Sequence, residues 1–169
     1  VLNLTLEEAP RFELGFTADN YLPVSLGEHR GRVFFRSQNL TGRGEIFRIG
    51  ANAADGAESL DIFLSAPFTS AGTLASIYYS EGASEIVEDR FNELNIESQT
   101  ETMGIQVSHP WWEDDNESLA VSLGFEAKHS QSSLDGTPFR FAPGDDVNGE
   151  ADTTVATLGF EYVRRTPAS

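Results

Sequence analysis

The feature that most constrains this chain is an alternation of apolar residues with small or polar ones, at a period of two, that returns in segment after segment. In residues 118–130, Leu119, Val121, Leu123, Phe125 and Ala127 share one side, and Ser122, Gly124, Glu126 and Lys128 share the other. Successive side chains point to opposite faces in a β-strand, so this spacing specifies strand and not helix. Residues 152–165 repeat it, with Thr154, Ala156, Leu158, Phe160 and Tyr162 against Thr153, Val155, Thr157, Gly159 and Glu161. So do residues 11–20, where Phe12, Leu14, Phe16 and Ala18 oppose Glu13, Gly15, Thr17 and Asp19. Eight strands are predicted in all, at 11–20, 30–38, 45–53, 59–68, 72–80, 97–110, 118–130 and 152–165, with no convincing helix. Two are less regular: Arg32, Phe34 and Arg36 share a side, and Tyr78 and Tyr79 fall on opposite sides. The expected fold class is all-β, an antiparallel up-and-down meander.

A single alternating strand fits a soluble core as well as a bilayer. The connections point to the bilayer. Those at 21–29, 54–58, 81–96 and 131–151 are expected to be long and polar, and those at 39–44, 69–71 and 111–117 compact. Short turns at one end and long loops at the other are the habit of outer-membrane barrels, with the short turns periplasmic. The polar side carries Glu, Asp, Arg, Lys, Gln, Ser and Gly, which suit a wet lumen and would be costly in a dry core. The expected lumen-facing residues are Glu13, Arg32, Arg36, Arg48, Asp61, Glu126 and Lys128. The expected lipid-facing residues are Phe12, Leu14, Phe16, Leu123, Phe125, Leu158 and Phe160. Trp111 and Trp112, beside Pro110, are expected at the headgroup level, where indole rings are favoured. A secreted adhesin or carbohydrate-binding sandwich built from alternating strands stays open on periodicity alone.

Composition narrows the classes further. The hydrophobic fraction is 39%, and no apolar run approaches the ~20 residues of a membrane-spanning helix. A formal charge of −16 argues against nucleic acid, whose phosphates demand a basic face. Cysteine is absent, which removes disulfides, thiolate metal sites and cysteine nucleophiles. No charged-then-apolar leader opens the chain, so Val1 reads as an internal residue of a longer protein.

Five segments, in this order and at strand ends, carry a family resemblance: FTADNY at 16–21, NLTGRGE at 39–45, LSAPF at 64–68, SHPWW at 108–112 and TPFRFAPG at 137–144. Together they resemble the barrel of the two-partner secretion transporters, the group that includes the haemolysin and filamentous haemagglutinin exporters. The opening VLNLTLEEAPRFELG is similar to the junction between the last periplasmic POTRA domain and the first barrel strand. The resemblance implies a sixteen-stranded outer-membrane barrel of a Gram-negative-type bacterium, preceded by two POTRA domains and exporting a large β-helical exoprotein. Residues 1–10 would then end the POTRA region or form a linker, and 11–169 would form the N-terminal half of the barrel. The partners implied are the exoprotein client and outer-membrane lipid. The barrel of a related outer-membrane assembly factor is a third reading. The family's Val-Arg-Gly-Tyr lumen-loop tip is not found here, and Arg164 and Arg165 do not substitute for it.

Catalytic chemistry finds little support. His29, His109 and His129 are far apart in sequence, so neither a metal cluster nor a triad is expected. Asp145, Asp146, Asn148 and Glu150 miss the alternating spacing of a calcium loop and read as a turn. Thr41-Gly42-Arg43-Gly44 lacks the Lys-Ser/Thr ending of a phosphate loop and reads as a tight hairpin. The expectation is a passive conduit with no cofactor and no enzymatic activity.

Overall fold

A computed structural model of the chain describes residues 10–88, 94–141 and 144–165. Residues 1–9 of the expected POTRA end or linker lie outside the described residues. The elements are β1 (Phe12–Asp19), β2 (Arg30–Gln38), β3 (Ile46–Ala54), β4 (Ala57–Pro67), β5 (Leu74–Glu85), β6 (Ile96–Glu113), β7 (Glu117–Leu134), β8 (Thr137–Pro138) and β9 (Glu150–Arg164), with one 3-10 turn at Val24–Leu26. Each strand pairs antiparallel with the next in sequence from β1 to β8, and β9 returns to the same edge of β7 along residues 117–131. The meander is thus one continuous sheet, with the two-residue β8 as a small hairpin above its last pair.

Among the described residues nothing covers either face. Among the described residues no apolar side chain is fully buried, and the buried polar ones are Ser37, Glu45, Ser65 and Thr73. A soluble sandwich closes two sheets over a shared core. This single layer has none, and the sandwich alternative falls on that observation.

Strand length rises along the chain. β1, β2 and β3 have 8, 9 and 9 residues, close to the ~9–11 of a tilted membrane crossing. β6 and β7 have 18 each and run well past that span. Four expected boundaries are therefore corrected. Glu81 and Glu85 belong to β5, Gln131 and Leu134 to β7, and Trp111 and Trp112 to β6, none of them to connections. Polar residues keep the ladder going there because water satisfies their side chains while the backbone bonds persist. The fourth correction is the 54–58 connection, expected to be long. Ala54 pairs with Ala57, leaving Asp55-Gly56 as a two-residue turn.

The compact end is organised by side-chain caps. In the β2–β3 hairpin the Glu45 carboxylate accepts the N–H groups of Thr41 and Arg43, and Gly44 N–H donates to Asn39 Oδ1 at 2.8 Å. In the β6–β7 turn, Asp114 Oδ1 accepts from Asn116 and Glu117 N–H at 2.8 and 2.9 Å. At the other end, Asp135 (φ 51°) and Gly136 (φ 68°) make the left-handed pair that a tight hairpin into β8 demands. The loop between β1 and β2 crosses to neighbouring connections and is tied there by backbone. Gly56 N–H donates to Leu26 O at 3.0 Å, Val87 N–H to Ser25 O at 2.9 Å, and Glu85 N–H to Gly56 O at 2.9 Å. A Cβ at Gly56 would collide with the Glu85 carbonyl, so this approach requires glycine.

Candidate functional site: the polar face of the sheet

Register turns the alternation of each strand into two continuous faces. Across one row, Leu14 pairs with Phe35, Phe35 with Ile49, Ile49 with Ile62 and Ile62 with Tyr79. Further along, Val107 pairs with Leu123 and Leu123 with Leu158, while Ile105 pairs with Phe125 and Val121 with Phe160. Phe12, Leu14, Phe16, Leu123, Phe125, Leu158 and Phe160 all lie on this apolar side. Its exposure is large for unpaired apolar surface: Leu14 is 76% exposed, Phe16 74% and Phe160 68%. Ring contacts gather toward the short-turn end, with Phe12 on Phe35 at 6.1 Å, Phe35 by Phe47 at 6.3 Å and Trp112 by Tyr162 at 6.3 Å. Trp112 opposes Leu119, and a register shift between Pro110 and Trp112 leaves the exposed Trp111 bulged out of the ladder.

The opposite face is polar. One row runs Glu13, Arg36, Arg48, Phe63, Tyr78, Gly104, Glu126 in consecutive pairing. The adjacent row holds Asp61, Ser80, Thr102 and Lys128. Arg32 pairs with Thr17 and Asn52 one row further. The seven polar residues singled out from the sequence thus share one face of one sheet. The structure divides them into two groups. Glu13, Arg32, Arg36, Arg48 and Asp61 border a depression of about 560 Å³ that extends to Ser80. Glu126 and Lys128 lie two strands beyond β5, on β7.

Three features of this face went unread in the sequence. Phe34, Phe63 and Tyr78 stand among the charges, and each meets a neighbour of a particular kind. The Phe34 ring lies over Gly15, and the Tyr78 ring over Gly104, where a Cβ would collide with it. Tyr78 reaches across β6 and donates its hydroxyl to Glu126 Oε2 at 2.5 Å. Arg48 stacks on Phe63, its guanidinium carbon 4.3 Å from the ring centroid, and Arg32 lies 6.0 Å from the centroid of Phe34. The second feature is an ion pair at the strand ends, Arg30 to Asp19 at 2.8 Å, which the matched positions of β1 and β2 foreshadow. The third is that Arg32, Arg36 and Arg48 have no ion-pair partner among the described residues, although Glu13 sits opposite Arg36. With its amide turned to satisfy both groups, Gln38 accepts from Arg36 at 2.8 and 3.0 Å.

The histidines stand apart. His109 Nδ1 is 2.8 Å from Thr73 Oγ1, and His129 Nδ1 is 2.8 Å from Asp152 Oδ1 on the next strand. In the loop before β9 the Asp146 carboxylate is taken by local donors: Oδ1 accepts from Asn148 and Glu150 N–H at 2.7 and 3.0 Å. These backbone N–H groups hold its carboxyl below the ordinary aspartate range.

Comparison with known proteins agrees with this geometry. Residues 1–166 match the family model described as haemolysin secretion/activation protein ShlB/FhaC/HecB. A search of curated proteins returns no match. Among solved structures, CdiB from Escherichia coli superposes with a TM-score of 0.75 at 17% identity, over 96% of this chain and 30% of that one. BamA from Haemophilus ducreyi lacking POTRA domains 1-3 gives 0.52 at 11% identity, over 95% of this chain and 31% of that one. At these identities the likeness speaks for the fold, and the chain spans about a third of either protein.

Proposed function

From the premise that this chain belongs to the ShlB/FhaC/HecB haemolysin secretion/activation family of Gram-negative outer-membrane β-barrels, we propose that it forms the N-terminal half of a barrel that exports a large exoprotein across the outer membrane. The single observation that carries the reading is the sheet itself: largely apolar on one face and polar on the other, with no buried apolar core among the described residues. Rolled into a barrel with the apolar face outward, such a sheet meets lipid outside and water inside.

Dimensions support that orientation. On β6 the outward face carries Met103, Ile105, Val107 and Trp112 over nine steps, interrupted by His109, whose ring is held by Thr73. At ~3.4 Å per residue and a tilt near 40° this covers about 23 Å, close to the ~25 Å apolar band of such barrels. Trp112, Tyr162, Phe12 and Phe47 then form part of the periplasmic aromatic girdle, with Trp111 beside them. Beyond the band, β5, β6 and β9 turn acidic on the same face, with Glu81, Glu101 and Asp152 in line through His129. Those ends stand above the bilayer on the extracellular side.

In this reading the lumen wall carries Glu13, Arg32, Arg36, Arg48, Asp61, Glu126 and Lys128, and keeps the pore wet. The reading assigns the chain no catalytic role. An unfolded client passes through, drawn by its own folding outside. The test is secretion: the full-length gene, expressed with its neighbouring exoprotein gene in a host lacking both, should release the exoprotein into the medium, and a deletion of residues 96–134 should abolish release. Normal secretion without the barrel, or loss of other barrels from the membrane instead of loss of the exoprotein, would replace this reading with that of an assembly factor.

A further inference from the structure

The chain carries 27 acidic residues against 11 Lys and Arg, yet the polar face of β2 and β3 gathers four arginines, Arg30, Arg32, Arg36 and Arg48. Arg30 is paired with Asp19. The other three have no ion-pair partner among the described residues, and Arg36 and Arg48 are direct cross-strand neighbours. Like charges placed opposite each other destabilise a sheet. A wet wall needs no such arrangement, since the Ser and Thr of β5 and β6 line the same face without it.

The surroundings orient the guanidiniums for a ligand. Phe63 backs Arg48 at 4.3 Å and Phe34 flanks Arg32 at 6.0 Å. An aromatic face holds the guanidinium plane and leaves its N–H edge free to take a carboxylate in two parallel hydrogen bonds. Arg32 and Arg48 are exposed, and the depression they border, about 560 Å³, falls within the range of ligand sites.

We propose, on the export reading above, that this groove is a docking track for acidic stretches of the client in transit, its Asp and Glu side chains pairing in turn with Arg32, Arg36 and Arg48. Charge complementarity selects this occupant: three cations with no ion-pair partner among the described residues, Arg36 held in part by Gln38 and with Glu13 and Asp61 on the same wall, answer an extended chain bearing carboxylates. Ion pairs at exposed sites are individually weak and salt-screened. That suits a chain that must let go of each contact.

The experiment uses the full-length protein in detergent and fluorescently labelled hexaglutamate, read by anisotropy. Wild type should bind hexaglutamate and not hexalysine, and affinity should fall with added salt. The triple variant Arg32→Gln, Arg36→Gln, Arg48→Gln should bind at least tenfold more weakly, while the triple Lys variant, checked for barrel closure by heat-modifiable gel mobility, should fall in between. Equal binding by wild type and the Gln variant overturns the proposal. So does absence of binding by the intact protein, as when a resident segment of the same protein already holds the groove. Failure of secretion with hexaglutamate binding intact would count against the export reading and leave the groove standing.

Discussion

At the scale of single residues, the two faces make unequal demands. Leu123 and Leu158 are cross-strand partners on the apolar side, and Ser122 and Thr157 are their neighbours on the polar side. Replacing Leu123 or Leu158 by Arg in the full-length protein should cost about 2–4 kcal/mol near the bilayer midplane. Arg at Ser122 or Thr157 should cost far less, as read by reversible unfolding in lipid vesicles. The parity that separates these positions was plain in the sequence. The clasp of Tyr78 over Gly104 onto Glu126 was not. A period of two says that Tyr78 and Tyr79 part company, but the partner of Tyr78 depends on pairing register with strands 26 and 48 residues away. A side chain at Gly104 overpacks that site, so Gly104→Leu should destabilise by about 1–3 kcal/mol. Tyr78→Phe, which removes one hydrogen bond, should cost about 1 kcal/mol. The Asp146 turn brings a pH dependence of known sign. Its folded carboxyl titrates below the ordinary aspartate range, so its support of the loop is complete above about pH 4 and is lost as pH falls through the lowered value. Protease nicking of this loop should rise at pH 3, and Asp146→Ala should raise it already at pH 7.

At the scale of elements, all eight long strands were legible in the sequence, and their ends were not. Apolar alternation marks the part of a strand that faces lipid. Past the bilayer the ladder continues without that signal, which is why Glu81 and Glu85 read as loop. The Asp55-Gly56 turn was missed for a related reason, since acids near a glycine look the same in a long loop and a tight hairpin. The backbone ties from Ser25 and Leu26 to Val87 and Gly56 leave no sequence trace, because any residue supplies a carbonyl. They give the first loop a fixed seat. Gly56→Val should unseat it through collision with the Glu85 carbonyl, and limited proteolysis between residues 20 and 29 should accelerate while the strands stay protected.

At the scale of the whole molecule, a sheet with no core and two open faces makes sense as barrel wall. Its stability lies in lipid on one side and in strand neighbours at β1 and β9. Loop parity was the sequence argument for topology, and it survives with one of its four long connections turned into a two-residue turn. The sense of the barrel rests instead on the aromatic edge at one end of the apolar band and the carboxylate edge at the other. The most direct measurement of that claim is cysteine accessibility on intact cells. A cysteine at Glu88 or Asp146 should react with an impermeant maleimide, whereas one at Gly42 or Ala71 should react only after the outer membrane is breached. Equal labelling of all four positions on intact cells would contradict it.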